Sequence, residues 1–261
     1  MIEYDGIRNI DQELVALDET KPIIFLDIDG VVNPIRRQRK WVGPDSLAGG
    51  QWDPELYKAS NWNLEELTHD PELHYPVSRK LTVDIDRWFD LGEHMIEWNL
   101  SQWPEKRYKT LTINLMDEML DELRELVEKF GFQVVYLTYW RSEALRLLEP
   151  ELRLGATAYL DWNTRSDRGH RLKIDALQDF YERTDIRTPF VILDDESTAG
   201  LKSDADLWYS NPRYADRNPE KAAQVKELNT IPKLVFQQAP EWGIERAHLE
   251  EIRKFAESLS S

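Results

Sequence analysis

Four short, nearly unbroken apolar runs punctuate the chain, and between them hydrophobic positions recur at helical spacing. The runs lie in "PIIFLDIDG" from Pro22, "FQVVYLT" from Phe132, "PFVILDD" from Pro189 and "PKLVF" from Pro232. Such runs, rich in β-branched and aromatic residues, are the pattern of strands buried on both faces. In "NLMDEMLDELRELVEKFG" the apolar residues Leu115, Met119, Leu123, Leu126 and Phe130 share one helical face, and Gly131 supplies the stop. "WRSEALRLL" reads as the next helix. "GHRLKIDALQDFYER" follows, with Leu172, Ala176 and Phe180 on one side, and "GIERAHLEEIRKFAESL" closes the chain with Ile244, His248, Ile252, Phe255 and Leu259 aligned. Residues 1–21 read as a polar lead-in, where a short helix is the only regular element expected. Strands alternating with helical crossovers predict a parallel α/β sheet covered by helices on both faces.

From Asn33 to about Lys109 no clean period emerges. The stretch is rich in Pro and Gly and holds six of the ten tryptophans, Trp41, Trp52, Trp62, Trp88, Trp98 and Trp103. A structureless loop of that length is implausible, and its aromatic rings need somewhere to be buried. Residues 34–110 are therefore read as an inserted cap or lid, and residues 1–33 with 111–261 as the core.

Charge narrows the function classes. The 261 residues carry 49 acidic against 33 basic side chains, a formal charge of −16, so the field of the whole protein opposes non-specific coating of nucleic acid. No apolar stretch approaches a membrane span, and the acidic first residues lack the basic start and apolar run of a signal peptide. Without cysteine there is no disulfide, thiol nucleophile or thiolate metal site. A cytoplasmic protein without a membrane partner is the expectation, and the oligomeric state is left open.

The candidate chemistry sits where the apolar runs end. In parallel α/β sheets ligands bind beyond the carboxyl ends of the strands. The first run ends at Asp27 and Asp29, the second at Thr138, and the third at Asp194 and Asp195. Each has a plain structural reading. Asp-x-Asp-Gly favours a turn, Thr138 can cap the helix beginning "TYWRSE", and Lys173 can be a solvated charge on an amphipathic helix. The adjacent carboxylates Asp194 and Asp195 are harder to explain that way, because a turn does not require their mutual repulsion and a divalent cation relieves it. The five histidines, at 69, 74, 94, 170 and 248, form no ligand motif.

Taken in order, "FLDIDGVV", "VVYLTYWR", "RLK" and "FVILDDE" resemble the four motifs of the haloacid dehalogenase-like (HAD) phosphohydrolase superfamily, over roughly residues 22–34 and 111–236. The resemblance implies a Rossmann-like parallel sheet with a cap inserted after the first strand. It implies Asp27 as nucleophile, Asp29 as general acid and base, Thr138 and Lys173 as phosphate ligands, and a Mg²⁺ site drawn from Asp27, Asp29, Asp194 and Asp195. Dehalogenases of the superfamily lack an acid at the position of Asp29 and transport ATPases carry threonine there, so Asp29 points to phosphate esters. The chain departs from the pattern at Val31, where threonine is frequent. The residue chemistry agrees with these roles. A carboxylate is an accepted covalent nucleophile for phosphoryl groups, and a second can protonate the leaving oxygen and then activate water. Four carboxylates meeting a phosphate dianion need a cation beyond one Mg²⁺, for which Lys173 is the candidate and Arg141 a second.

For the substrate, "IRRQRKW" directly after the first motif offers Arg36, Arg37 and Arg39 beside Trp41. A basic cluster is most simply a solvated loop, but this one leaves the active edge of the sheet and would attract a phosphorylated ligand whose base stacks on an aromatic ring. "YLTYWR", "PFVILDDES" and "GIERAHLEEIRKF" also resemble the HAD domains associated with RNA-repair proteins, with departures at Tyr139 and in the long insert. That resemblance implies a nucleotide or the terminal phosphate of a nucleic acid as substrate. The competing readings are a phosphomutase or small-metabolite phosphatase, and a non-catalytic binding module that keeps the fold.

Overall fold

The computed structural model describes residues 6–34, 70–84, 110–138, 140–161, 173–195, 219–239 and 241–260. They form an α/β fold built on a mixed six-stranded sheet. The elements in chain order are β1 (Ile7–Arg8), β2 (Ile23–Leu26), β3 (Arg79–Asp84), β4 (Thr110–Leu115), α1 (Asp117–Phe130) and β5 (Gln133–Tyr136). A π-helical stretch Ala144–Leu148 then runs into α2 (Glu149–Leu152), followed by β6 (Ala158–Leu160), α3 (Lys173–Arg183), β7 (Phe190–Asp194), α4 (Pro219–Leu228), β8 (Lys233–Gln237) and α5 (Arg246–Leu259). The sheet order is β1-β6-β5-β2-β7-β8, with β1 antiparallel to β6 and the other neighbours parallel.

Side chains of a strand point alternately to the two faces of its sheet, so each apolar run feeds two cores. Ile24, Leu26, Val134, Tyr136, Val191 and Leu193 join one core with Met119, Leu123 and Leu126 of α1 and Leu249 and Ile252 of α5. Ile23, Phe25, Val135, Leu137, Phe190 and Ile192 join the other with Ala176, Leu177 and Phe180 of α3 and Leu228 of α4. Both faces are thus covered by helices, which is why the runs lack polar alternation. Helix α1 starts with Asp117 and Glu118 and ends at Gly131, whose left-handed φ of 67° lets its N–H close on the Val127 carbonyl.

Strands β1, β3, β4 and β6 and helix α4 were not expected. The lead-in contains no described helix; it adds the two-residue strand β1 to the edge of the sheet, where Ile7 is buried. Strand β6, "AYL", is too short for any period to register. Within the stretch read as an insert, β3 pairs antiparallel with β4 from Arg79↔Leu115 to Asp84↔Thr110. This ribbon straddles the expected boundary at residue 110, and it buries Val83, Ile113 and Leu115 in the first core. Residues 35–69 and 85–109 of the expected cap lie outside the described residues. Among the described residues no helix is long and apolar enough to cross a membrane.

The loop after β8 docks onto the turn that follows β2. Ile244 N–H donates to the Val31 carbonyl at 3.0 Å, and a Cβ on Gly243 would lie 2.2 Å from that same oxygen. Gly243 also has φ +67°. Gly243→Ala is therefore expected to cost about 1–3 kcal/mol, the range for a side chain held in an unfavourable backbone region. The urea midpoint reports it, and a midpoint equal to the wild type's would show that the loop can move away from Val31.

Candidate active site

The central strand β2 lies between β5 and β7, with Leu26 level with Tyr136 on one side and Leu193 on the other. The residues that continue these strands, Asp27, Leu137–Thr138 and Asp194–Asp195, therefore meet at one edge. Asp27 is tied into the sheet by its own N–H, which donates to the Leu193 carbonyl at 2.9 Å. Its Oδ1 accepts the Ile28 N–H at 2.7 Å.

Lys173, the first residue of α3, reaches into this edge. Its Nζ lies 2.5 Å from Asp27 Oδ2 and 3.0 Å from Asp194 Oδ2. Asp27 is 3% exposed, Lys173 2% and Asp194 0%, so the ionic group is closed off from bulk water. Burying charges this way is costly unless they are paired, and removing one partner strands the others.

Asp27, Asp194 and Asp195 each offer an oxygen within 4.8 Å of the others, and among the described residues these three are the side chains arranged to hold a metal ion. The donor set is all carboxylate, as hard divalent cations prefer. Among the described residues one lysine is set against these three carboxylates in a mostly buried site, an arrangement that suits a divalent cation. The residues fit such an ion. Asp29, expected in the metal set, is not one of the three.

Asp29 is held differently. Its Oδ1 accepts Asn33 Nδ2–H at 2.8 Å and its Oδ2 accepts the Trp140 indole N–H at 2.9 Å. Burial pushes its carboxyl above the ordinary carboxylate value; the Trp140 and Asn33 donors act against that shift, the neighbouring Asp27 charge adds to it, and Lys173 opposes it. The turn after it is wound on one carbonyl, since the N–H groups of Val31, Val32 and Asn33 all converge on Ile28 O at 2.8–3.3 Å. Gly30 has φ +76°, and a Cβ there would sit 2.2 Å from Asp195 Oδ2 and 2.8 Å from Asp195 Cβ. The glycine makes room for the carboxylate. Gly30→Ala must displace Asp195, so its affinity for a divalent cation is expected to fall about 10–100-fold, as when the groups supporting a metal ligand are disturbed. Calorimetric titration with Mg²⁺ reads this directly, and an unchanged isotherm would remove Asp195 from the metal set.

Thr138 is buried at the same edge, and its Oγ1 accepts the Trp140 N–H at 3.4 Å. It does not start a regular helix as expected. Arg141 adopts a left-handed φ of 48°, and the hydrogen bonds from Arg141 to Thr138, Glu143 to Trp140 and Ala144 to Arg141 wind separate turns before the helix proper. Arg141, expected one turn inside that helix, lies at this bend with its guanidinium 3.5 Å from Asp161, which follows β6. The candidates Arg36, Arg37, Arg39 and Trp41 lie outside the described residues. Asn33 and Trp140 are the site residues that sequence reasoning passed over. Their signals were a polar residue closing an otherwise apolar turn, "GVVN", and a tryptophan two places after Thr138.

Compared with known proteins, the chain matches no family model, no curated protein and no solved structure.

Proposed function

We propose that this protein is a Mg²⁺-dependent phosphohydrolase of the haloacid dehalogenase-like type, built on a Rossmann-like sheet and acting through an aspartyl-phosphate on Asp27. The observation that carries the reading is the buried junction in which Lys173 Nζ contacts Asp27 at 2.5 Å and Asp194 at 3.0 Å, with Asp195 completing a carboxylate trio and Asp29 two residues along the same turn. A binding module has no evident need for so many buried carboxylates at one strand edge. The five parallel strands and the order of the motifs along them support the same reading.

Asp27 attacks phosphorus, forming an Oδ–P bond as the bond to the leaving oxygen breaks. Asp29 gives its proton to that leaving oxygen. In the second half Asp29 takes a proton from water, the water oxygen bonds to phosphorus, and the Asp27 carboxylate is released with inorganic phosphate. Lys173 offsets charge beside the attacking carboxylate, and Thr138 offers its hydroxyl to the phosphoryl oxygens. Asp27, Asp194 and Asp195 would hold Mg²⁺, which when bound supplies charge neutralisation on the phosphoryl oxygens. For the substrate class, the "IRRQRKW" run and the resemblance to RNA-repair domains favour a nucleotide or a nucleic-acid terminal phosphate over a sugar phosphate.

The test is phosphate release with Mg²⁺ from p-nitrophenyl phosphate, mononucleotides, sugar phosphates and 3′- or 5′-phosphorylated oligonucleotides. Release that is greatest on the oligonucleotides or mononucleotides supports the full reading. Phosphoryl exchange without accumulation of phosphate means a mutase, and Mg²⁺ binding without any phosphoryl transfer means a binding module.

A further inference from the structure

We infer that Asn33 and Trp140 are positioning residues that clamp the two oxygens of Asp29 and, through Asn33, fix its carboxyl to the β3–β4 ribbon. The inference rests on the phosphohydrolase reading and extends it to residues that touch neither substrate nor metal.

The hydrogen-bond chemistry leaves little freedom. The backbone N–H of Asn114, on β4, donates to Asn33 Oδ1 at 2.8 Å. A backbone N–H can only donate, so the Asn33 oxygen must face the ribbon and its NH₂ must face Asp29. Asn33 Nδ2 accordingly donates to Asp29 Oδ1 at 2.8 Å. An indole N–H is likewise a donor only, and Trp140 directs it to Asp29 Oδ2 at 2.9 Å. Two donors, one from the turn after β2 and one following β5, thus hold one carboxyl by both oxygens, which fixes its plane.

Both clamping residues are themselves immobilised. Trp140 is 1% exposed and Asn33 5%. The indole is packed in the first core, and the Trp140 backbone N–H is tied to Thr138. Asn114 returns a second bond from its own Nδ2 to the Pro34 carbonyl at 3.2 Å, so the ribbon and the turn after β2 are laced together at Asn33 and Pro34. A group that must give a proton to the leaving oxygen and later take one from water needs one orientation in both half-reactions, since small misplacements of a catalytic group are costly.

The experiment compares wild type, Trp140→Phe and Asn33→Asp in single-turnover assays with Mg²⁺. Trp140→Phe keeps a ring in the core and removes the donor. Asn33→Asp keeps an acceptor for Asn114 N–H and replaces the donor to Asp29 with a carboxylate oxygen. Urea midpoints establish that each variant is folded before it is assayed, and the two substitutions report on the clamp independently. p-Nitrophenolate leaves without protonation, whereas an alkyl phosphate needs the acid. In both variants the alkyl phosphate rate is expected to fall at least about tenfold further than the p-nitrophenyl phosphate rate, within the span that general acid catalysis supplies. With p-nitrophenyl phosphate in excess over enzyme, a p-nitrophenol burst should also appear, because breakdown of the phosphoenzyme needs the same carboxyl as base. In an Asp29→Ala background neither substitution should change either rate further, as expected of residues acting through Asp29. Equal losses on both substrates, or losses that add fully to Asp29→Ala, would overturn the clamp while leaving the phosphohydrolase reading intact. A wild-type protein that transfers no phosphoryl group would overturn both.

Discussion

Asp27→Asn is expected to abolish phosphate release, by about a thousandfold or more at saturating Mg²⁺, as removal of a covalent nucleophile does elsewhere. The amide has the shape of the carboxylate, and its one oxygen can accept either the Ile28 N–H that Asp27 Oδ1 accepts at 2.7 Å or a proton of Lys173, not both. Lys173 keeps its second partner, Asp194, at 3.0 Å. The fold therefore survives while the attacking lone pair is lost. Saturating the metal separates chemistry from affinity, because Asp27 also belongs to the carboxylate trio. Circular dichroism and a urea midpoint close to the wild type's, with no phosphate release, is the expected pair of results. Release at a tenth of the wild-type rate or more would mean that another group attacks.

Lys173→Met is expected to have the second-largest effect, with two consequences of opposite sign. The lysine is the cation recorded between Asp27 and Asp194, and its side chain is 1% exposed. Methionine fills much of the same space without the charge. Removing one partner from a buried ionic group typically costs about 3–5 kcal/mol, so without metal the variant should unfold at markedly lower urea. Its affinity for Mg²⁺ should nevertheless rise, because the site has become more negative, and added Mg²⁺ should recover much of the lost stability through preferential binding to the folded state. Phosphate release stays low even with metal bound, since charge beside the attacking oxygen is no longer offset. Thermal denaturation with and without Mg²⁺ checks all of this. A variant as stable as the wild type without metal would mean that the carboxylates are already neutral.

Much of the frame was legible because burial on two faces writes itself as continuous apolar runs. All four runs became strands of the sheet, and their polar ends, Asp27, Thr138 and Asp194, lie at one edge. Helix α1 was equally plain, with its apolar stripe and its glycine stop. What escaped had a weak local signal. Strands β1 and β6 are two and three residues long and owe their conformation to pairing with each other and with β5. Ribbon β3–β4 mixes charged and apolar residues because only part of it faces the core. At the site, the resemblance placed Asp29 in the metal set beside Asp27 as well as making it the acid and base, whereas the structure binds both its oxygens to Asn33 and Trp140. Asn33 lies in the same turn as Asp29, but Trp140 is 111 residues away, so no short motif carries the pair. The helix expected to start at Thr138 failed for a local reason, the left-handed backbone at Arg141, which sequence did not betray because arginine rarely adopts it.

The central claim is that Asp27 carries the phosphoryl group, and its most direct test is to trap that group. The protein is mixed with Mg²⁺ and p-nitrophenyl phosphate, quenched during turnover and reduced with borohydride, which converts an acyl-phosphate to an alcohol. Peptide mass spectrometry should then find homoserine at position 27, absent when substrate is omitted and absent from Asp27→Asn. Homoserine at another aspartate, or unmodified Asp27 in a sample caught while releasing phosphate, would contradict the account.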